Sequence, residues 1–179
     1  MNKMKFLLLA GIFCLLGVNN ANAQMLGIKT NLLSDALGAP SLGFEIVTGE
    51  HTSFDIQAST TLKKPWGKAV EVTMIQPELR LWYAGRPMTR GFIGFAATLA
   101  QYDVTWKSTT HDGYTAGLGI NFGYVFHLSK RMNLEANAGV GVYGTHERQY
   151  RVGAYNGDYR NDIRMLPSKV GVSIVYILK

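Results

Sequence analysis

The stretch GYTAGLGINFGYVFHL, residues 113–128, separates into two unlike sets when read at every second residue. Tyr114, Ala116, Leu118, Ile120, Phe122, Tyr124, Phe126 and Leu128 are apolar or aromatic. Gly113, Thr115, Gly117, Gly119, Asn121, Gly123, Val125 and His127 are mostly glycine and polar. Strict alternation is the mark of a β-strand with two different faces. The glycines decide what kind of strand. On a solvent-facing position a glycine weakens the strand and packs nothing. Inside a narrow barrel it has a use, because the interior is only wide enough for side chains to fill. Large inward groups then need small neighbours. Tyr114 near one end, with Tyr124 and Phe126 near the other, are candidate positions for aromatic girdles.

The same period runs through the rest of the chain. Strands are expected over 26–33, 42–48, 51–62, 71–83, 91–106, 113–128, 132–148 and 169–179. Leu42, Phe44 and Ile46 oppose Gly43 and Glu45. Phe54, Ile56 and Ala58 oppose Asp55, Gln57 and Ser59. Ile75, Leu79 and Leu81 oppose Gln76, Glu78 and Arg80. Leu134, Ala136, Ala138 and Val140 oppose Asn133, Glu135, Asn137 and Gly139. Val170, Val172, Ile174 and Tyr176 oppose Gly171 and Ser173. In the fifth strand Phe92 and Ile93 compete for one side. Eight strands of this kind predict an all-β fold, an eight-stranded antiparallel up-and-down transmembrane barrel, apolar outside and polar within.

The connections broadly alternate in length. Residues 49–50, 84–90 and 129–131 are grouped as short, although 84–90 is long for a turn; 63–70, 107–112 and 149–163 are grouped as long, and 34–40 is intermediate. Outer-membrane barrels pair short periplasmic turns with long outer loops.

The chain opens MNKMKFLLLAGIFCLLGVNNANAQ. Lys3 and Lys5, the apolar run Phe6 to Val18 and the small-x-small site Ala21-Asn22-Ala23 read as a secretory signal peptide over 1–23. Residues 24–179 then form one domain. The run falls short of the roughly 20 apolar residues a spanning helix needs. Cys14, the sole cysteine, lies within it, after Phe13, which does not suit a lipoprotein signal. The mature chain would have no disulfide and no Cys-ligated metal. Without Lys3 and Lys5, 16 basic residues face 12 acidic ones, a net charge near +4. No concentrated basic patch of the kind nucleic acid requires stands out.

Three blocks, IKTNLLSDALGAPSLGFE (28–45), QPELRLW (76–82) and KVGVSIVYIL (169–178), resemble the domain-of-unknown-function family 3575 over essentially the whole mature chain. The resemblance implies a small Gram-negative outer-membrane barrel. It implies no catalytic or ligand residues. Chains of this class commonly end on an aromatic residue; this one ends Tyr176-Ile177-Leu178-Lys179.

Two groups of residues are candidates for function. The first is a polar network facing the interior: Lys29, Glu45, Asp55, Glu78, Arg80 and Glu135. Buried charges must pair, so these six are expected to form salt bridges across the barrel. They would fill it as a plug rather than line an ion pathway. The second group lies at the outer loops. HERQYRVGAYNGDYRNDIR (146–164) offers Arg148, Tyr150, Arg151, Tyr155, Tyr159 and Arg160, and Trp66 lies beside Lys63, Lys64 and Lys68. Arginine's planar fork suits lipopolysaccharide phosphate, and arginine with tyrosine is enriched at binding hot spots. Outer-membrane lipid and lipopolysaccharide are the expected partners, with a surface protein or glycan as a further one, and the chain is expected to be monomeric. The histidines at 51, 111, 127 and 146 lack metal-ligand spacing, and no nucleotide fingerprint occurs. No cofactor and no catalysis are expected. The alternatives are a lipid A-modifying barrel enzyme, resting on His111 and His146, and a soluble lipocalin-like barrel, which would need the aromatic set to point inward.

Overall fold

A computed structural model describes residues 25–61, 70–106, 109–151 and 158–178. Its strands are β1 (Leu26–Asn31), β2 (Ser41–Val47), β3 (Thr52–Thr60), β4 (Val70–Trp82), β5 (Arg90–Trp106), β6 (Thr109–His127), β7 (Met132–Arg151) and β8 (Asp158–Ile177). Each pairs antiparallel with the next, and β8 closes on β1, giving an eight-stranded up-and-down barrel. One helical turn, α1 (Leu32–Ala36), joins β1 to β2.

The barrel is polar inside and apolar outside. Among the described residues, 18 polar or charged residues are buried against 7 hydrophobic ones. Every member of the 114–128 apolar set is exposed. Phe44, Leu79, Phe95, Leu118, Phe122, Val140 and Val170 continue that face around the barrel.

Glycine placement follows the large inward groups. Across the ladders Lys29 faces Gly43, Arg80 faces Gly94, and Phe92 faces Gly123. Asn121 faces Gly139, Tyr143 faces Gly117, and Asn137 faces Gly171. A Cβ on Gly43 would lie 2.7 Å from the Lys29 stem, and one on Gly94 or Gly123 would collide with Glu78 or Phe92. This cross-strand pairing also settles the fifth strand. Phe92 is fully buried and Ile93 faces outward, because Gly123 leaves room for a ring inside.

Strand lengths depart from expectation at three places. β1 ends at Asn31, not Leu33. Asn31 caps α1 by accepting hydrogen bonds at Oδ1 from the Leu33 and Ser34 amides, which is what an N-cap asparagine does well. The expected long connections over 107–112 and 149–163 are largely strand: β6 begins at Thr109, β7 reaches Arg151 and β8 starts at Asp158. Ladder pairing continues there without an apolar face, so alternation gave no sign of it. Third, a bulge interrupts β7–β8. Gly139 pairs with Lys169 but Val140 pairs with Pro167, so Ser168 is an extra residue, and Ser168 and Lys169 both turn inward and are buried. Proline is tolerated at such bulges.

Following paired residues once round, Leu26 leads through Ile46, Phe54, Leu79, Phe95, Ile120 and Val140 to Pro167. That is roughly ten residues along β8 from its meeting with β1 at Ile177, a stagger that tilts the strands by about 40°.

Gly123→Val should destabilise the barrel by about 1–3 kcal/mol through overpacking against Phe92. Gly144→Ala, where a Cβ would meet only the Ala116 carbonyl at 3.9 Å, should leave it unchanged. Urea unfolding followed by circular dichroism reads both.

Candidate functional site

The QPELRLW block sits on β4 with Gln76, Glu78, Arg80 and Trp82 all buried in the interior. Alternation forces this: four residues at period two point to one face. Arg80 is the hub. Its Nε donates to Glu78 Oε1 at 3.2 Å. Nη1 donates to Glu45 Oε2 at 2.9 Å and Glu135 Oε2 at 2.8 Å. Nη2 donates to Asp55 Oδ2 at 3.1 Å and Glu135 Oε1 at 2.9 Å. A guanidinium has five N–H donors in a fixed fork, and all five are used. Its face lies over the Phe92 ring, 4.1 Å from the centroid, and Trp82 packs on Phe92 with centroids 4.8 Å apart.

Two ammonium groups complete the network. Lys29 Nζ reaches Glu45 at 2.6 Å, Asp55 at 3.0 Å and Glu135 at 3.3 Å. Lys169 Nζ reaches Glu78 at 2.9 Å and Asp55 at 3.3 Å. Polar neighbours add further hydrogen bonds to the network. Ser53 donates to Glu45 Oε1, and Trp82 Nε1 donates to Ser53. Asn137 donates to Glu135 Oε1, and Gln76 donates to Thr98 and to the Ser168 carbonyl. The charged side chains come from β1, β2, β3, β4, β7 and β8, so the network ties strands on opposite sides of the barrel.

The structure therefore brings Lys29, Glu45, Asp55, Glu78, Arg80 and Glu135 into one cluster. Sequence reasoning missed Lys169. It shares the parity of Gly171 and Ser173, so continuing that face by one step finds it. Ser168 was not legible, since it faces inward only because of the bulge. Below the network an apolar layer of Trp82, Phe92 and Val125 is buried. Met88 folds in from the 83–89 connection, taking a positive φ of 60°, and its carbonyl accepts from Asn133. That inward fold explains the length of this connection.

The loop candidates fare differently. Trp66 and Tyr155 lie outside the described residues. The backbones of Arg148, Tyr150 and Arg151 fall in β7 and those of Tyr159 and Arg160 in β8, with side chains outside the described set; the signal-peptide segment lies outside it too. His127 meets Asn133 at 2.8 Å, His51 meets the Gly85 carbonyl at 3.1 Å, and His146 packs on Tyr114 with centroids 5.2 Å apart.

The opening block, 28–45, has polar residues engaged within the fold. Asp35 accepts from Thr30 Oγ1 at 2.6 Å, from the Ser41 amide at 2.8 Å and from Ser41 Oγ at 3.1 Å. Ser41 Oγ accepts from the Asn31 amide at 2.8 Å. These bonds fasten α1 between β1 and β2.

A family described as protein of unknown function (DUF3575) matches residues 8–178, nearly the whole chain. The chain belongs to this family. No curated protein matches it. In this DUF3575 chain, the two most specific sequence blocks are thus the Arg80 arm of the network and the α1 cap.

Removing Arg80 leaves four buried carboxylates facing two ammonium groups. Arg80→Met should cost about 3–5 kcal/mol, the range for breaking a buried ion pair. Lys130→Met, at an exposed connection, should cost nothing measurable. Urea midpoints distinguish them. Arg80→Lys should rescue little, because a point charge cannot bridge four carboxylates.

Proposed function

We propose that this chain is a small outer-membrane barrel with a polar plug, serving a structural or surface-interaction role through its outer end, without catalysis. The observation that carries this reading is the inversion of polarity: a charged, hydrogen-bonded interior beneath an exposed face of Leu, Phe, Val and Ile. In water that surface would be an aggregation hazard; in a bilayer it is the required exterior. The soluble lipocalin-like alternative needs Tyr124 and Phe126 inside, yet both are exposed.

The height of the band agrees. From Tyr114 to Phe126 the strand runs ~40 Å at about 3.3 Å per residue. A tilt of about 40° brings this to ~30 Å, close to the roughly 25 Å apolar band of outer-membrane barrels. Tyr83, Tyr124, Phe126 and Tyr176 are exposed toward the end with the short connections, and Tyr114 is exposed toward the other, as aromatic girdles require. The leader over 1–23 supplies the export route. The network supports the plug: among the described residues the interior charges are paired with one another across the barrel, which leaves a permeant ion no row of free charges. The arginines and tyrosines at the outer end suit lipopolysaccharide phosphates.

Expressed with its leader in a Gram-negative host, the protein should fractionate with the outer membrane. It should also migrate faster on gels unheated than boiled. Recovery as a freely soluble periplasmic protein overturns the proposal. In planar bilayers the folded protein should give no resolvable single-channel steps; discrete conductance would contradict the plug.

A further inference from the structure

The wall of the barrel is not of even height. β6, β7 and β8 span 19, 20 and 20 residues, whereas β1, β2 and β3 span 6, 7 and 9. β8 meets β1 only from Ser173 to Ile177. Allowing for tilt, each residue rises about 2.4 Å along the barrel axis. At the level of the Tyr114–His146 pair, β1, β2 and β3 fall short by roughly eight, six and four residues, or about 20, 15 and 10 Å. Three neighbouring strands thus stop well below the top of the apolar band.

The floor of this notch is α1 and the turn after it, where Leu32, Leu33 and Leu37 are 40%, 43% and 59% exposed. Its inner wall is the inward face of β8 above the bulge. Leu166 pairs with inward-facing Gly141 and is nevertheless 44% exposed, because β1, its neighbour in the wall, ends at Asn31 and meets β8 no higher than Ser173. Ala100 on β5 and Gly117 on β6 occupy the far inner wall and are half-buried. The outside of the notch runs without a break into the exposed Val170, Val172, Leu42 and Phe44.

We infer that this notch is a lateral opening occupied by the acyl chain of an outer-leaflet lipid, which lies over the α1 leucines and against Leu166 above the charged plug. The inference rests on the outer-membrane reading. A polypeptide strand is the other occupant an open edge invites, but this edge is blunted against one. The bulge at Ser168, Pro167 beside it and α1 packed near the lower edge are the devices by which proteins prevent strand addition. A hydrocarbon chain needs no ladder hydrogen bonds: low in the notch it would meet the α1 leucines, Leu166, Ala100 and Gly117, while Arg164 and Asp162, ion-paired at 2.8 Å higher on the same face of β8, stand at the level of the lipid headgroup.

The test uses single cysteines in the chain lacking Cys14, each labelled with bimane and refolded into liposomes with lipids brominated along the acyl chain. Leu118→Cys reports the outer belt; Leu166→Cys and Ala100→Cys report the notch from its two inner walls. Heat-modifiable migration checks that each variant folds, and either notch variant suffices if the other fails. The expected result is quenching of the Leu166 or Ala100 label by bromolipid to the extent seen at Leu118, with little quenching by aqueous iodide. Quenching at Leu118 alone, or iodide quenching at the notch positions, overturns the lipid-filled notch while leaving the membrane reading intact. No bromolipid quenching at Leu118 overturns both.

Discussion

The Arg80 guanidinium, with all five N–H donors spent on four carboxylates, is the constraint around which this barrel is arranged. A charge buried this completely is tolerated only where every partner is in place. Strands β2, β3, β4 and β7 supply those carboxylates, and β1 and β8 add Lys29 and Lys169 against them, so the network fixes strand positions across the barrel as well as between neighbours. A slip of one residue in any of these strands would turn its charged side chain to the outside. The network therefore works against wrong registers as much as it holds the right one.

Packing such large groups into an eight-stranded barrel creates a second demand, for space. It is met locally: Lys29, Arg80, Phe92, Asn121, Asn137 and Tyr143 each sit across the ladder from a glycine. The glycine-rich face of residues 113–125 is the complement of side chains on the adjoining strands. The exterior needs no such complement, and its residues range from Ala116 and Ala138 to Leu118 and Phe122.

Much of this was legible in the sequence because it depends on a period of two. Alternation located eight strands, assigned their faces and grouped six charged residues in one interior. What it could not supply depends on partners across the ladder or on local capping. Phe92 and Ile93 could not be separated until Gly123 was known to lie opposite. The helical turn at Leu32 is set by Asn31 and Asp35, whose side chains bond nearby backbone in a pattern that alternation does not register. Ser168 faces inward only because of a bulge. The upper reaches of β6, β7 and β8 look like loop in sequence, since strands beyond the apolar band need not alternate. The uneven wall follows from these same features.

The central claim is that the two faces of the 113–128 strand meet opposite environments, lipid outside and a closed polar interior within. Spin labels placed one at a time from Ala116 to Tyr124, in protein refolded into bilayers, test it directly. The account predicts that collision rates with oxygen rise and fall with a period of two, highest at Ala116, Leu118, Ile120 and Phe122, while a water-soluble nickel chelate reaches neither set. Oxygen accessibility without that period, or peaking at Gly117, Gly119 and Asn121, would contradict it.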